Sequence, residues 1–411
     1  MLPLRLQSQI NKRRVAQSRG RPGDGGGNMG KGMKVEALKL KDRHFSNWHS
    51  EVENRWDYDD LRRDPGWLHD WISFDCCLFL PEQDRLYCGL TCLDGDIFWA
   101  FDRGSRSFMN CGYTAINNGF DAKFHRSLLR RKKDGCLYAA TALLHDIDRY
   151  WEAPGGAIVK FDPANGKLER LAIPMPHQYI QMICLDEERD VIYGTTFTPE
   201  RMFSYDLGTG SSRDLGPISS AFEFTQGQNI ELDDEGCAWS PWSITRAWQN
   251  NPGPDSKRLC KYDPKAGKFV YFKTGLPMPG NESEYVKIDG LFNFQTGELL
   301  ATGGNGSLYR INTGTGKATY LGTPIEDRPS RLSSMKLGPD GCAYGVTGKD
   351  GQCEVIRFNP KTYKYQLLGP VTSGEDRCWQ VHDIAVTQDG VIYACENDNP
   401  YRSSYLWEIS L

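Results

Sequence analysis

The sequence predicts an all-β fold, a seven-bladed β-propeller whose last blade is closed by an N-terminal strand. Three observations predict it. A short pattern recurs at blade-sized steps, each recurrence reads as four short strands, and the last recurrence stops one strand short.

The recurring pattern ends on an acidic or Asn turn: "FDRGS" at Asp102, "FDPANGK" at Asp162, "YDLGTG" at Asp206, "YDPKAGK" at Asp263, "INTGTGK" at Asn312 and "FNPKTYK" at Asn359. The steps are 60, 44, 57, 49 and 47 residues. Asp or Asn can cap its own backbone there, and a Gly four residues on supplies positive φ. Upstream of most such turns lies a D-G or equivalent turn, then a strand of the L-Y-x-x-T type. Units of this size with four antiparallel strands are propeller blades. Six fit between Ser73 and about Gly374. The seventh, "WQVHDIAVTQDGVIYACENDNPYRSSYLWEISL", ends after three strands, and "KVEALKLK" near the N-terminus is the natural fourth. "EVENRWDYDDLRRDP" reads as one short helix before blade 1.

Some repeated positions are expected to be core. Tyr87, Tyr138, Tyr193, Tyr344 and Tyr393 fill one second-strand slot. Cys136, Cys237 and Cys342 fill another, as small apolar residues opening a buried strand. The 13 cysteines show no paired C-x-x-C spacing of the metal type, and free buried thiols suit a reducing compartment, so a cytoplasmic location is expected.

Residues 1–33 are basic and Gly-rich and are expected to form a disordered tail, with residues 34–411 as a single propeller domain. The first 34 residues hold eight Lys/Arg and one Asp, without the apolar segment of a secretory signal. With a total of −4, this leaves the remainder at −11. An acidic body argues against nucleic acid as partner. No apolar run approaches the ~20 residues of a membrane helix, which argues against a membrane partner. A monomer is expected.

Naming strands A to D from the channel outward, the B–C loops and D–A connections emerge on one face. Two B–C loops are oversized: Ala142 to Gly156 in blade 2, with His145, Tyr150 and Trp151, and "SPWSITRAWQNNPGPDSKR" in blade 4, with Arg246 and Trp248. The blade 7 loop adds Tyr401 and Arg402. Leading connections and starts of A strands bring His125, His177, Lys287, Asp289, Arg331, Trp379 and His382 to the same mouth. Loops grown on one face of a rigid scaffold are where function sits. His382 and Asp289 occupy matching slots, for which bonding to inner-strand backbone is an equal alternative.

"FHRSLLRRKKDGCLYAAT", the following "HD", "GGAIVKFDPANGK" and the late "VHDIAVTQDGVIYACENDNPYRSSYLWE" resemble the seven-bladed propeller polysaccharide lyases, ulvan-lyase-like and rhamnose–glucuronate-lyase-like, with a related propeller rhamnosidase group. The resemblance implies histidines and a tyrosine doing the chemistry at the channel mouth and an arginine holding the uronate. Its histidines fall on His125 and His145; Tyr150, Tyr179 and Tyr285 are the tyrosine candidates.

The reaction expected is β-elimination on a uronic-acid-containing oligosaccharide. His125 and His145 neutralise the carboxylate and transfer protons, Tyr150 is a base or acid, and Arg246 binds the carboxylate. Trp151, Trp248 and Trp379 would stack on sugars, with Lys287, Arg331 and His382 as further substrate contacts. No cofactor is required, although histidines plus an acid could hold Ca²⁺ or Mn²⁺. The alternatives are a rhamnosidase-like glycoside hydrolase and a non-enzymatic propeller that binds a protein or peptide.

Overall fold

The computed structural model describes residues 32–46, 57–219, 225, 229–243, 245, 248 and 252–411. The N-terminal tail therefore lies outside the described residues, apart from its last two positions. From Met33 onward the chain forms one compact unit.

Seven antiparallel sheets make the seven blades. Their A strands are Ile72–Leu80, Leu128–Arg130, Tyr179–Asp186, Glu231–Leu232, Ile288–Asn293, Met335–Leu337 and Val381–Val386. In blade 7, Lys34–Leu38 pairs antiparallel with Leu406–Ser410, so the N-terminal strand is strand D, as the sequence predicts. Two short helices, Tyr58–Arg63 and Pro65–Asp70, replace the single expected one. Asp64 ends the first and caps the second, accepting from the Gly66 and Trp67 amides.

The closing turns form because each Asp or Asn carbonyl accepts the amide four residues on. The distance is 2.8 Å at Asp162, Asp206, Asp263, Asn312 and Asn359. Gly166, Gly210, Gly267 and Gly316 take φ near +70° in these turns, while Tyr363 holds the same slot at +58°. The five slot tyrosines are buried. Tyr138 and Tyr344 donate to Asp134 and Asp340 at their own D-G turns, at 2.8 and 3.0 Å. All thirteen cysteines are free thiols, and Cys136, Cys237 and Cys342 are buried.

The core is divided. Separate apolar clusters lie between neighbouring blades, such as Tyr138, Ile180 and Phe203 between blades 2 and 3, and Val346, Val381 and Trp407 between blades 6 and 7. Each blade is thus stabilised by its neighbours, and the ring needs both ends joined.

The blade 7 loop is built around buried Glu396. Its carboxylate accepts from Arg402 at 2.7 and 3.0 Å, the Tyr405 amide at 2.8 Å, the Trp379 amide at 2.8 Å and Asn399 at 2.9 Å. Arg402 is therefore a structural cation here rather than a ligand-facing one. A chain shortened through Leu38 is expected to melt roughly 5 °C or more below one shortened only through Gly32. Equal melting temperatures would show that the closing strand contributes nothing.

Candidate functional site

Four A strands carry the same irregularity. The A–B register slips between Phe74 and Cys76, Ile180 and Met182, Ile288 and Gly290, and Val381 and Asp383. The extra residues are Asp75, Gln181, Asp289 and His382, in blades 1, 3, 5 and 7, and all four are buried. A bulge re-aims a side chain and weakens the local ladder. Here it sets a polar residue at one level of the channel, near where the A strands begin.

His125 and Arg126, just before strand A of blade 2, join this level. The His125 and His382 rings meet edge to face at 4.5 Å. The His382 Nδ1–H donates to Asp75 Oδ1 at 2.9 Å, and the His125 Nδ1–H donates to the Gln181 carbonyl at 2.6 Å. A carboxylate and a carbonyl can only accept, so both rings keep their lone pair on Nε2. Asp75 also accepts from Thr91, and from Asn397 at 3.1 Å. Burial pushes both imidazoles well below their usual range, with Lys123 and Arg126 reinforcing it at His125 and Arg126 at His382. Burial lifts the Asp75 carboxyl to about 6.

Across the channel, Asp289 organises the cations. Arg331 Nε donates to its two oxygens at 3.2 and 3.0 Å, Ser333 donates at 2.8 Å, and Arg126 Nη1 donates to its carbonyl at 2.8 Å. Burial would raise Asp289, but Arg331 and Arg126 outweigh it and hold the carboxyl at about 2. Burial brings the Lys287 ammonium down to about 8 against the pull of Asp289. Tyr179 and Lys287 share the influence of Glu200, and burial keeps the Tyr179 phenol protonated.

Beneath this level the channel opens into a cavity of about 410 Å³, lined among others by Arg126, Glu231, Lys336, His382 and Asp383. Burial raises the Glu231 carboxyl to about 7.

The structure gathers His125, His382, Lys287 and Arg331. It does not bring His145 to His125, a correction to the expected pairing. Residues Ala142–Leu143 form a strand that pairs with Asp121–Lys123, carrying the loop away along the edge of blade 1's sheet. His145 packs on Phe120 and Tyr150, with ring centroids 6.1 and 6.4 Å apart. Tyr150 and Trp151 gather with His177 in the same outer cluster, where Trp151 is 76% exposed. Trp379 stacks edge-on with Tyr401 at 5.5 Å in a separate cleft. Trp248 is 99% exposed, and Arg246 lies outside the described residues. Sequence reasoning missed Asp75, Lys123, Arg126 and Glu200. The signal for Asp75 was a polar residue inside an apolar A strand, "SFDCC", in the slot of Asp289 and His382.

No protein-family model and no curated protein matches the chain. Among solved structures it is similar to the extracellular domain of the putative hybrid two-component system BT4673 from B. thetaiotaomicron, with TM-score 0.54 and 12% identity over 82% of this chain and 38% of that one. The corresponding domain of BT3049 from the same organism gives TM-score 0.50 and 14% identity, covering 82% and 39%. A putative gluconolactonase gives TM-score 0.43 and 13% identity, covering 72% and 90%. The chain thus spans about two fifths of the length of the first two, and the likeness is one of fold.

Two outcomes follow from the site's charges. Asp289→Asn removes the charge that balances Arg331 and Arg126 and should cost about 3–5 kcal/mol in urea unfolding. Glu231, raised in the fold from 4.5 to about 7, favours the folded state in its protonated form. That contribution is present below the unfolded value and lost as pH rises through about 7. Glu231→Gln should therefore gain stability over the parent as pH is raised across this window, measured by melts at each pH.

Proposed function

We propose that this propeller is a carbohydrate-active lyase that cleaves uronate-containing oligosaccharides by β-elimination at the channel mouth. The observation that supports it most is the basic cluster around Asp289, with Arg331 on its carboxylate at 3.0 Å and Arg126 on its carbonyl at 2.8 Å, where burial lowers the neighbouring Lys287 ammonium to about 8. The C5 proton of a uronate lies next to a carboxylate and needs both a base and charge compensation. Neutral Lys287 takes that proton, and the C–H pair becomes the C4–C5 double bond. The C4–O bond breaks with its pair going to oxygen, which Tyr179 protonates. Arg331 is the fixed cation for the substrate carboxylate, and His125 and His382 form the floor.

This departs from the assignment of proton transfer to His125, His145 and Tyr150. Hydrolysis by two carboxylates is less well supported, because Asp289 is committed to Arg331, Arg126 and Ser333. Incubation with glucuronate and galacturonate oligosaccharides should produce the ultraviolet absorbance of a conjugated unsaturated uronate. The rate should rise with pH to a plateau above about 8, where Lys287 is neutral. Lys287→Met should lower turnover by roughly 10²-fold or more. Absence of unsaturated product, or unchanged turnover in that variant, overturns the reading; saturable sugar binding without turnover would make the protein a binding propeller.

A further inference from the structure

We infer that Asp75, His125 and His382 form a binding site for one divalent transition-metal cation, Mn²⁺ or Zn²⁺ in class, at the floor of the mouth. Among the described residues this is the one group of His, Cys, Asp or Glu whose ligand atoms lie close enough to share an ion, all within 4.8 Å of one another. Metal–ligand bonds of about 2.1 Å put neighbouring ligand atoms roughly 3–3.5 Å apart. The 2.9 Å between His382 Nδ1 and Asp75 Oδ1 is already such an edge. The proton that bridges them occupies the place a cation would take, and His382 then carries its proton on Nε2.

The surroundings are those of a prepared site. His125 is held through Nδ1 by the Gln181 carbonyl, which leaves Nε2 as its ligand atom. Asp75 is oriented by Thr91 and Asn397. Groups that fix first ligands in this way strengthen metal sites. Two imidazoles and one carboxylate, with further positions open, suit Mn²⁺, Fe²⁺ or Zn²⁺ better than Ca²⁺, which takes oxygen ligands.

Charge is the counter-argument, and it provides the sharpest test. Lys123 Nζ lies 3.8 Å from Asp75 Oδ1, where it stands in for a cation, and Arg126 and Arg331 act on the same histidines. Asp75, Asp289, Asp383 and Asp398 oppose these three cations. A bound divalent ion must displace Lys123, so removing that ammonium should tighten binding.

The inference is independent of the lyase reading, because cation binding is measured without sugar. Protein freed of metal with a chelator is titrated with Mn²⁺ alone, following loss of the free-ion electron paramagnetic resonance signal, and with Zn²⁺ by calorimetry. The expected result is one ion per chain and a rise in melting temperature on adding it. His125→Ala and His382→Ala should each weaken binding by roughly 100-fold, and Asp75→Asn by roughly tenfold or more. Lys123→Met should tighten it by roughly tenfold, a gain that misfolding cannot mimic. No stoichiometric binding of either ion overturns the proposal, as does affinity unchanged in the histidine variants or weakened in Lys123→Met. Metal binding without lyase activity would leave this site standing and remove the lyase reading.

Discussion

A single extra residue near the start of four A strands shapes everything at the channel mouth. In a regular propeller strand, alternate side chains enter the packing between blades. The bulge breaks that alternation once and turns Asp75, Gln181, Asp289 and His382 toward a common level. The rest of each strand returns to register, so the apolar clusters between blades are undisturbed. Local irregularity is confined to one place, and the polar groups concentrate there.

Charges buried at that level must balance one another, since water is largely excluded. The level divides into two halves. In one, Asp289 is matched by Arg331 and Arg126, a closed arrangement in which the carboxylate's contacts are used. In the other, His382 leans on Asp75 and His125 on the Gln181 carbonyl, and each ring keeps its Nε2 lone pair. The first half fixes geometry. The second retains the capacity to accept something, whether a proton, an ion or a sugar hydroxyl.

The fold was legible because its signals are local. A closing turn needs an Asp or Asn and a Gly four residues away, and the slot tyrosines bond to their own turn, as Tyr138 does to Asp134. The site was only partly legible, because its contacts are distant. His382 and Asp75 are 307 residues apart in sequence, and no spacing rule joins them. His145 misled for the same reason. Its loop contains a short strand whose partner lies twenty residues earlier in another blade's sheet, and that pairing decides where the histidine goes. Arg402 read as a cation at the mouth, but burial beside Glu396 commits it to the loop.

The joining of the two ends also sets when the molecule comes into being. His382 is synthesised 307 residues after Asp75, and the strand that receives Lys34–Leu38 later still. A nascent chain can assemble the blades between them one after another. It cannot assemble the floor of the mouth, which joins blades 1, 2 and 7. The floor is therefore complete only when blade 7 has been made and the circle has shut.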